Sequence, residues 1–157
     1  GKEHRIGGLE KEIDTGNVSY DPENHEKMVK IRQAKVDKIA EDIPLQNINN
    51  GDKEGEVLVL SWGSTYGVIK NAVKECKEEG LSVGHVHLRY INPLPKNLGE
   101  LIKGFKKVIV PEMNNGQLVK IIRDKFLVDA KAINKIKGIP FSTAEIVSAI
   151  KGEEELV

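Results

Sequence analysis

From Val57 onward, short apolar runs alternate with single amphipathic segments, and no other feature constrains the fold as tightly. Residues 57–61, 83–88 and 108–110 are brief stretches dominated by valine, leucine and isoleucine and predict strands. Residues 65–79 and 97–105 between them predict helices. Residues 116–126 predict a third, 128–136 a weaker strand region, and 142–150 a last helix capped by Ser142 or Thr143. A strand that is apolar along its whole length needs cover on both faces. The order therefore predicts an α/β fold, a three-layer α/β/α arrangement around a mostly parallel sheet, over residues 51–157.

Residues 1–50 read differently, as a connector followed by an amphipathic helical arm. Gly7, Gly8 and Gly16 among mixed charges predict loop or a short hairpin up to Tyr20. Asp21-Pro22-Glu23 then starts a helix, with Asp21 as N-cap, Pro22 at the first helical position and Glu23 favourably placed against the helix dipole. At 100° per residue, Met28, Val29, Val36, Ile39, Ala40 and Ile43 fall in one stripe that has to pack on something. Pro44 ends the helix, and the polar residues 46–55 predict a linker.

Charge and cysteine content exclude several functions. Lysine plus arginine number 24 and aspartate plus glutamate 24, so no global field draws the chain to nucleic acid or an anionic membrane. The single cysteine, Cys76, excludes an internal disulfide and an iron–sulfur or zinc site ligated by this chain's cysteines alone. Lacking a neighbouring histidine motif, Cys76 reads as packing. The apolar runs fall far short of the roughly 20 residues that span a bilayer. The start at Gly1, without a charged-then-apolar leader, predicts a piece of a longer cytoplasmic polypeptide.

Two strand-to-helix turns hold the candidate ligand- or interface-facing residues. In the first, Gly63 and Gly67 permit a tight turn, Ser64 or Thr65 can cap, and Tyr66 stands between them. Amides at a helix start on the carboxyl edge of a parallel strand favour an anion, although any such turn needs these residues and the spacing fits neither the dinucleotide nor the P-loop pattern. The second turn carries Glu112, Asn114, Asn115 and Gly116 and belongs on the same edge, so the two turns can frame a crevice. Glu112 is a base, an ion-pair partner or, most simply, a cap for the next helix. His85 and His87, two apart on a strand, share a face, but no third metal ligand is evident, and imidazoles hydrogen-bonded within the helix layer are the simpler expectation. Arg89 and Asn92 end that strand before Pro93-Leu94-Pro95, with Arg89 free to pair with a carboxylate or simply to pack. The basic run at residues 103–107 reads as a solvated face before a strand.

Leu60-Ser-Trp-Gly-Ser-Thr-Tyr-Gly67, His87-Leu-Arg-Tyr-Ile-Asn-Pro-Leu-Pro95 and Val108-Ile-Val-Pro-Glu112 resemble the C-terminal domain shared by transketolase-like thiamine diphosphate enzymes. Arg5-Ile-Gly-Gly-Leu-Glu10, Asp21-Pro-Glu-Asn-His25 with Met28 and Arg32, and Asn134-Lys-Ile-Lys-Gly-Ile-Pro-Phe141 narrow this further. Together they resemble alpha subunits of 2-oxoacid:ferredoxin oxidoreductases, in their C-terminal portion. Lys11 departs from the histidine or similar polar residue expected after the Gly-Leu-Glu run. The family's Tyr-Pro-Ile-Thr-Pro loop and its diphosphate–magnesium motif are absent from this sequence, Gly51-Asp52 being followed by Lys53.

The resemblance implies an intact enzyme that turns a 2-oxoacid, coenzyme A and oxidised ferredoxin into acyl-CoA, carbon dioxide and reduced ferredoxin. 2-Oxoglutarate is the first expectation for the substrate and a branched-chain 2-oxoacid the second. It also implies thiamine diphosphate, magnesium and iron–sulfur clusters in that enzyme, and as partners a thiamine-binding beta subunit, other subunits and ferredoxin. This chain is expected to bind none of those cofactors, to contribute no catalytic or metal-binding residue, to form subunit interfaces, and to be inactive alone. Two alternatives stay open: a stand-alone module holding an anion or nucleotide at the glycine turns, and a scaffold that docks a partner through the amphipathic arm.

Overall fold

The computed structural model describes residues 8–153. Arg5, Ile6 and Gly7 of the arm motif lie outside the described residues. The described chain divides into two compact units, one ending at Ile43 and one beginning at Pro44.

In the first unit, β1 (Glu10–Lys11) pairs antiparallel with β2 (Val18–Ser19), a short hairpin of the kind the glycines predict. Helix α1 (Pro22–Lys38) follows, with Asp21 Oδ1 accepting from the Glu23 amide at 3.0 Å. It is shorter than expected, tightening at Ile39–Glu41 into a 3₁₀ turn. No residue of α1 is buried, and Val29 and Ile39 of its apolar stripe are exposed. Polar bonds hold hairpin and helix together instead. Asn24 donates to the Lys11 carbonyl at 2.8 Å and accepts from the Ile13 amide at 3.2 Å. Buried Glu10 receives a two-pronged bond from Arg32 at 2.9 and 2.8 Å and meets His25 Nδ1 at 3.1 Å. The Arg32 guanidinium, reinforced by the Lys11 amide, holds the Glu10 carboxyl down at about 2. Glu10 stands in one sequence motif and His25 and Arg32 in another, and the three form one cluster here.

The second unit is a five-stranded sheet of β3 (Asn50–Gly51), β4 (Gly55–Trp62), β5 (Val83–Leu88), β6 (Phe105–Glu112) and β7 (Ala130–Asn134). Their spatial order is β3-β5-β4-β6-β7, parallel throughout except for the antiparallel β3. Helices α2 (Tyr66–Glu78) and α5 (Thr143–Lys151) cover one face, where Val59, Ile109 and Ile133 meet Ile69, Cys76 and Ile146. Helices α3 (Leu98–Lys103) and α4 (Gln117–Phe126) cover the other, where Leu58, Leu60 and Val110 meet Leu98, Leu118 and Ile122. This is the predicted three-layer α/β fold. Cys76 is buried in the α2 layer, where burial pushes its thiol up. Ser142, rather than Thr143, caps α5, in a reciprocal capping box with Glu145.

Two expectations need correction. Residues 46–55 are not all linker, because Asn50 and Gly51 add an edge strand to β5. An asparagine and a glycine carry no apolar pattern, and the pairing depends on backbone approach: a Cβ at Gly51, where φ is 86°, would lie 2.2 Å from the Val83 carbonyl oxygen. The helix expected over 97–105 stops at Lys103, and β6 already begins at Phe105, whose ring is buried on the α3–α4 side. Lys106 and Lys107 of the basic run therefore lie within the strand, and Lys106 reaches Glu56 of β4 at 2.6 Å.

Candidate functional site

Strand β4 sits centrally, with β5 on one side and β6 on the other, so the chain leaves the carboxyl ends of β4 and β6 toward opposite layers. Divergence of this kind opens a crevice at a sheet's carboxyl edge. A cleft of 190 Å³ lies there, lined by Trp62, Gly63, Ser64, Thr65, Met113 and Asn114.

The turn after β4 is a 3₁₀ turn over Gly63–Thr65, and Gly63 has the left-handed φ of 64° that this reversal needs. Thr65 is buried and donates its hydroxyl to the Trp62 carbonyl at 2.9 Å, so the hydroxyl locks the turn instead of capping α2. Gly67 lies in the first turn of α2, and its missing Cβ faces open space. Only Gly63 of the two glycines shapes the corner.

The turn after β6 is built around Glu112, which is 1% exposed. Its two oxygens accept from the Leu118 and Val119 amides at 2.9 and 3.0 Å. Asn114 Oδ1 accepts from the Gly116 and Gln117 amides at 2.8 and 3.0 Å. All four leading amides of α4 are thus satisfied by two side chains of the preceding turn. The place an anion would take at this helix start is filled by the chain's own carboxylate. Trp62 Nε1 at 3.3 Å and Asn114 Nδ2 at 3.2 Å complete the shell around Glu112.

Of the predicted site residues, Gly63, Ser64, Thr65 and Asn114 line one cleft, with Glu112 bound to that cleft's Trp62 and Asn114. Tyr66, Gly67, Asn115 and Gly116 are not among its walls, and Asn92 is exposed beside the cis bond to Pro93. Arg89 borders a different cleft, with His87 and Tyr90. Trp62 and Met113 complete the first cleft and lie next to the glycine and asparagine signals without sharing them.

His85 and His87 form a network that sequence reasoning did not reach. Ser61 Oγ lies 2.7 Å from His85 Nε2 and 2.8 Å from His87 Nδ1, and His85 Nδ1 lies 2.8 Å from Asn50 Oδ1. An acceptor at Asn50 gives the chain a direction: His85 Nδ1–H donates to Asn50, the Ser61 hydroxyl donates to His85 Nε2, and His87 Nδ1–H donates to Ser61. The partners come from adjacent strands and not from the helix layer as expected, because register places Ser61 opposite His87 and Asn50 opposite His85. Tyr66 closes the network from α2, its ring 5.0 Å from that of His87 and 5.6 Å from that of His85. Burial, reinforced by His87, holds His85 down at about 3, and burial followed by the Arg89 charge lowers His87. The available signal was Ser61, a hydroxyl on the same side of β4 as Val57 and Val59.

The described residues do not fit the metal or diphosphate groups of the resembled enzymes. Among the described residues no three His, Cys, Asp or Glu side chains converge as a metal requires. Asp52, which directly follows Gly51, accepts from Lys77 at 2.5 Å and the Val83 amide at 3.2 Å, and so ties α2 to the sheet edge. An open groove of 790 Å³ on the first unit, bordered by Glu12, Asp14, Lys27 and Lys30 among others, holds none of the predicted site residues. No described helix is long and apolar enough to cross a membrane.

Residues 55–150, which take in strands β4 to β7 and helices α2 to α5 but not the edge strand β3, match the family of pyruvate:ferredoxin oxidoreductase core domain II. The chain belongs to that family. Over 146 residues, 93% of its length, it is 45% identical to the Mycobacterium tuberculosis 2-oxoglutarate oxidoreductase subunit KorA, of which it spans 22%. The Aeropyrum pernix 2-oxoacid:ferredoxin oxidoreductase 2 subunit alpha is 33% identical over 97% of the chain and 25% of its own length. A solved structure of the Magnetococcus marinus 2-oxoglutarate:ferredoxin oxidoreductase, with 2-oxoglutarate, coenzyme A and succinyl-CoA bound, is also similar. It superposes with a TM-score of 0.84 at 32% identity, covering 96% of this chain and 27% of that one. A split-gene transketolase at 13% identity and TM-score 0.55 shares the fold alone, over 68% of this chain and 40% of its own. The chain thus spans about a quarter of these oxidoreductase subunits, and core domain II takes in the four parallel strands of the second unit.

Proposed function

We propose that this chain is the core domain II part of the alpha subunit of a 2-oxoglutarate:ferredoxin oxidoreductase, where it builds interfaces and leaves the chemistry to other parts. The observation that carries the reading is the 45% identity to a 2-oxoglutarate oxidoreductase subunit over 93% of the chain. The ligands of the Magnetococcus marinus enzyme support the choice of 2-oxoglutarate over other 2-oxoacids. In the whole enzyme, the 2-oxoacid and coenzyme A give acyl-CoA and carbon dioxide, and ferredoxin takes up the electrons. Thiamine diphosphate, magnesium and iron–sulfur clusters supply that chemistry from elsewhere, with a thiamine-binding beta subunit as partner, in the cytoplasm.

The interface role follows from how the polar groups are used. Both oxygens of buried Glu112 accept from α4 amides and one also from Trp62, which favours a capping role for it over that of a base. The cleft of Gly63, Ser64, Thr65 and Asn114 opens at the carboxyl edge with Trp62 and Met113 in its wall, the mixed surface a neighbouring domain covers. Exposed Val29 on α1 and Ile39 in the 3₁₀ turn after it mark a second such face.

Viologen or ferredoxin reduction with 2-oxoglutarate and coenzyme A tests this. The purified chain should give no turnover, while the chain joined to the remaining alpha domains and the beta subunit should turn over 2-oxoglutarate faster than branched-chain 2-oxoacids. Turnover by the isolated chain would refute the reading.

A further inference from the structure

We propose that the cleft between residues 46–49 and the end of β5 binds a small oxyanion, a carboxylate or phosphate, through Arg89, with His87 and Tyr90 beside it. This goes beyond the interface role and does not depend on it.

Charge is the first argument. The cleft measures 220 Å³, and Gln46, Asn47, Asn49, His87, Arg89 and Tyr90 contribute to its wall, which contains no carboxylate. Arg89 is exposed and makes no hydrogen bond or ion pair among the described residues. Four lysines of the second unit are instead taken up by carboxylates: Lys77 by Asp52, Lys106 by Glu56, Lys135 by Glu145, and Lys151 by Glu79. A guanidinium left free beside a concavity offers a planar two-pronged donor to an anion of two or more oxygens.

Preorganisation is the second. The opposing wall is tied to β5 and to the start of α3 before any ligand arrives. Asn49 Oδ1 accepts from the His87 amide at 2.7 Å, and Gln46 Nε2 donates to the His87 carbonyl at 3.3 Å. The Gln46 backbone exchanges two bonds with the Asn97 side chain, at 2.9 and 2.8 Å. The His87 ring is held by Ser61 through Nδ1, which leaves Nε2 outside the internal network. A wall already in place lowers the entropic cost of binding.

Size is the third. The volume admits inorganic phosphate or a short carboxylate and is too small for an entire nucleotide or coenzyme A. The start of α4 offers no rival site, since Glu112 and Asn114 already fill it.

The test is an NMR titration of the full chain with inorganic phosphate and, separately, with succinate, at constant ionic strength set by chloride. Expected are saturable shifts of the Arg89 Nε–H and His87 ring signals, and the two arms tell which oxyanion the site prefers. Arg89→Ala should weaken binding by about tenfold or more and Arg89→Lys by less, because a point charge replaces a fork. Circular dichroism checks that both variants keep the fold. The proposal is overturned if neither anion saturates, as when Arg89 serves only a partner protein's carboxylate. It is equally overturned if Arg89→Ala binds as the parent does, or if the shifts centre elsewhere.

Discussion

Trp62 donates its indole N–H to Glu112 Oε1 at 3.3 Å, joining the carboxyl end of β4 to the turn that starts α4. The same carboxylate accepts two amides of α4, so a single buried anion ties two strands and a helix together. Its removal leaves at least three buried or half-buried donors without an acceptor. Glu112→Ala should lower unfolding stability by about 2–4 kcal/mol in urea titration, and Glu112→Gln by less because one acceptor oxygen remains. An unchanged midpoint for Glu112→Ala would show that the cap is dispensable.

The His85 network predicts a pH dependence of stability. Folding lowers the His85 pKa from 6.5 to about 3, so the folded chain keeps this ring neutral while the unfolded chain protonates it. The stabilising term is fully present above pH 6.5 and fades as pH falls toward 3, amounting to about 2 kcal/mol lost by pH 5. Melting curves between pH 7.5 and 5 measure it. His85→Gln should show a smaller decline over that interval.

Ser61→Ala removes the hydroxyl between the two imidazoles and leaves His85 Nε2 buried without a partner. A loss of about 1–3 kcal/mol is expected, together with a change in the ring-nitrogen shifts of both histidines. Native shifts in the variant would mean that Ser61 does not organise the pair.

Acid should loosen the first unit. Glu10 titrates near 2 in the folded chain, below its ordinary 4.5, so its bonds to Arg32 and His25 are intact above pH 4.5. They are lost as pH falls through about 2. Chemical-shift titration of the α1 amides follows this, and Glu10→Gln should abolish the transition.

Glycine substitutions separate a close approach from a mere corner. Gly51→Ala would drive a Cβ to 2.2 Å from the Val83 carbonyl oxygen and should cost about 3 kcal/mol or more, detaching β3 from β5. Gly63→Ala meets no atom within 4 Å and should cost only the left-handed backbone penalty, about 1 kcal/mol. Paired urea titrations measure the difference.

The amino-acid order by itself determined the layer architecture. Unbroken apolar runs such as 57–61 need helices on both sides, and that requirement is written within a few consecutive residues. It also fixed Asp21 as a cap and narrowed the last helix to Ser142 or Thr143, since caps act on amides two or three positions away; the fold then left that role to Ser142. What only the tertiary structure decided is which distant residues meet. Asn50, Ser61, His85 and His87 form one chain of hydrogen bonds because β5 lies between β3 and β4 in a particular register, and neither order nor register leaves a mark in local periodicity. The stop of α3 at Lys103 and the early start of β6 were hidden for the same reason: Phe105 suits helix or strand equally, and burial against α3 and α4 chose the strand. Glu112 was legible as an acid beside a turn. Its commitment to capping came from the geometry that aims its two oxygens at two amides and an indole.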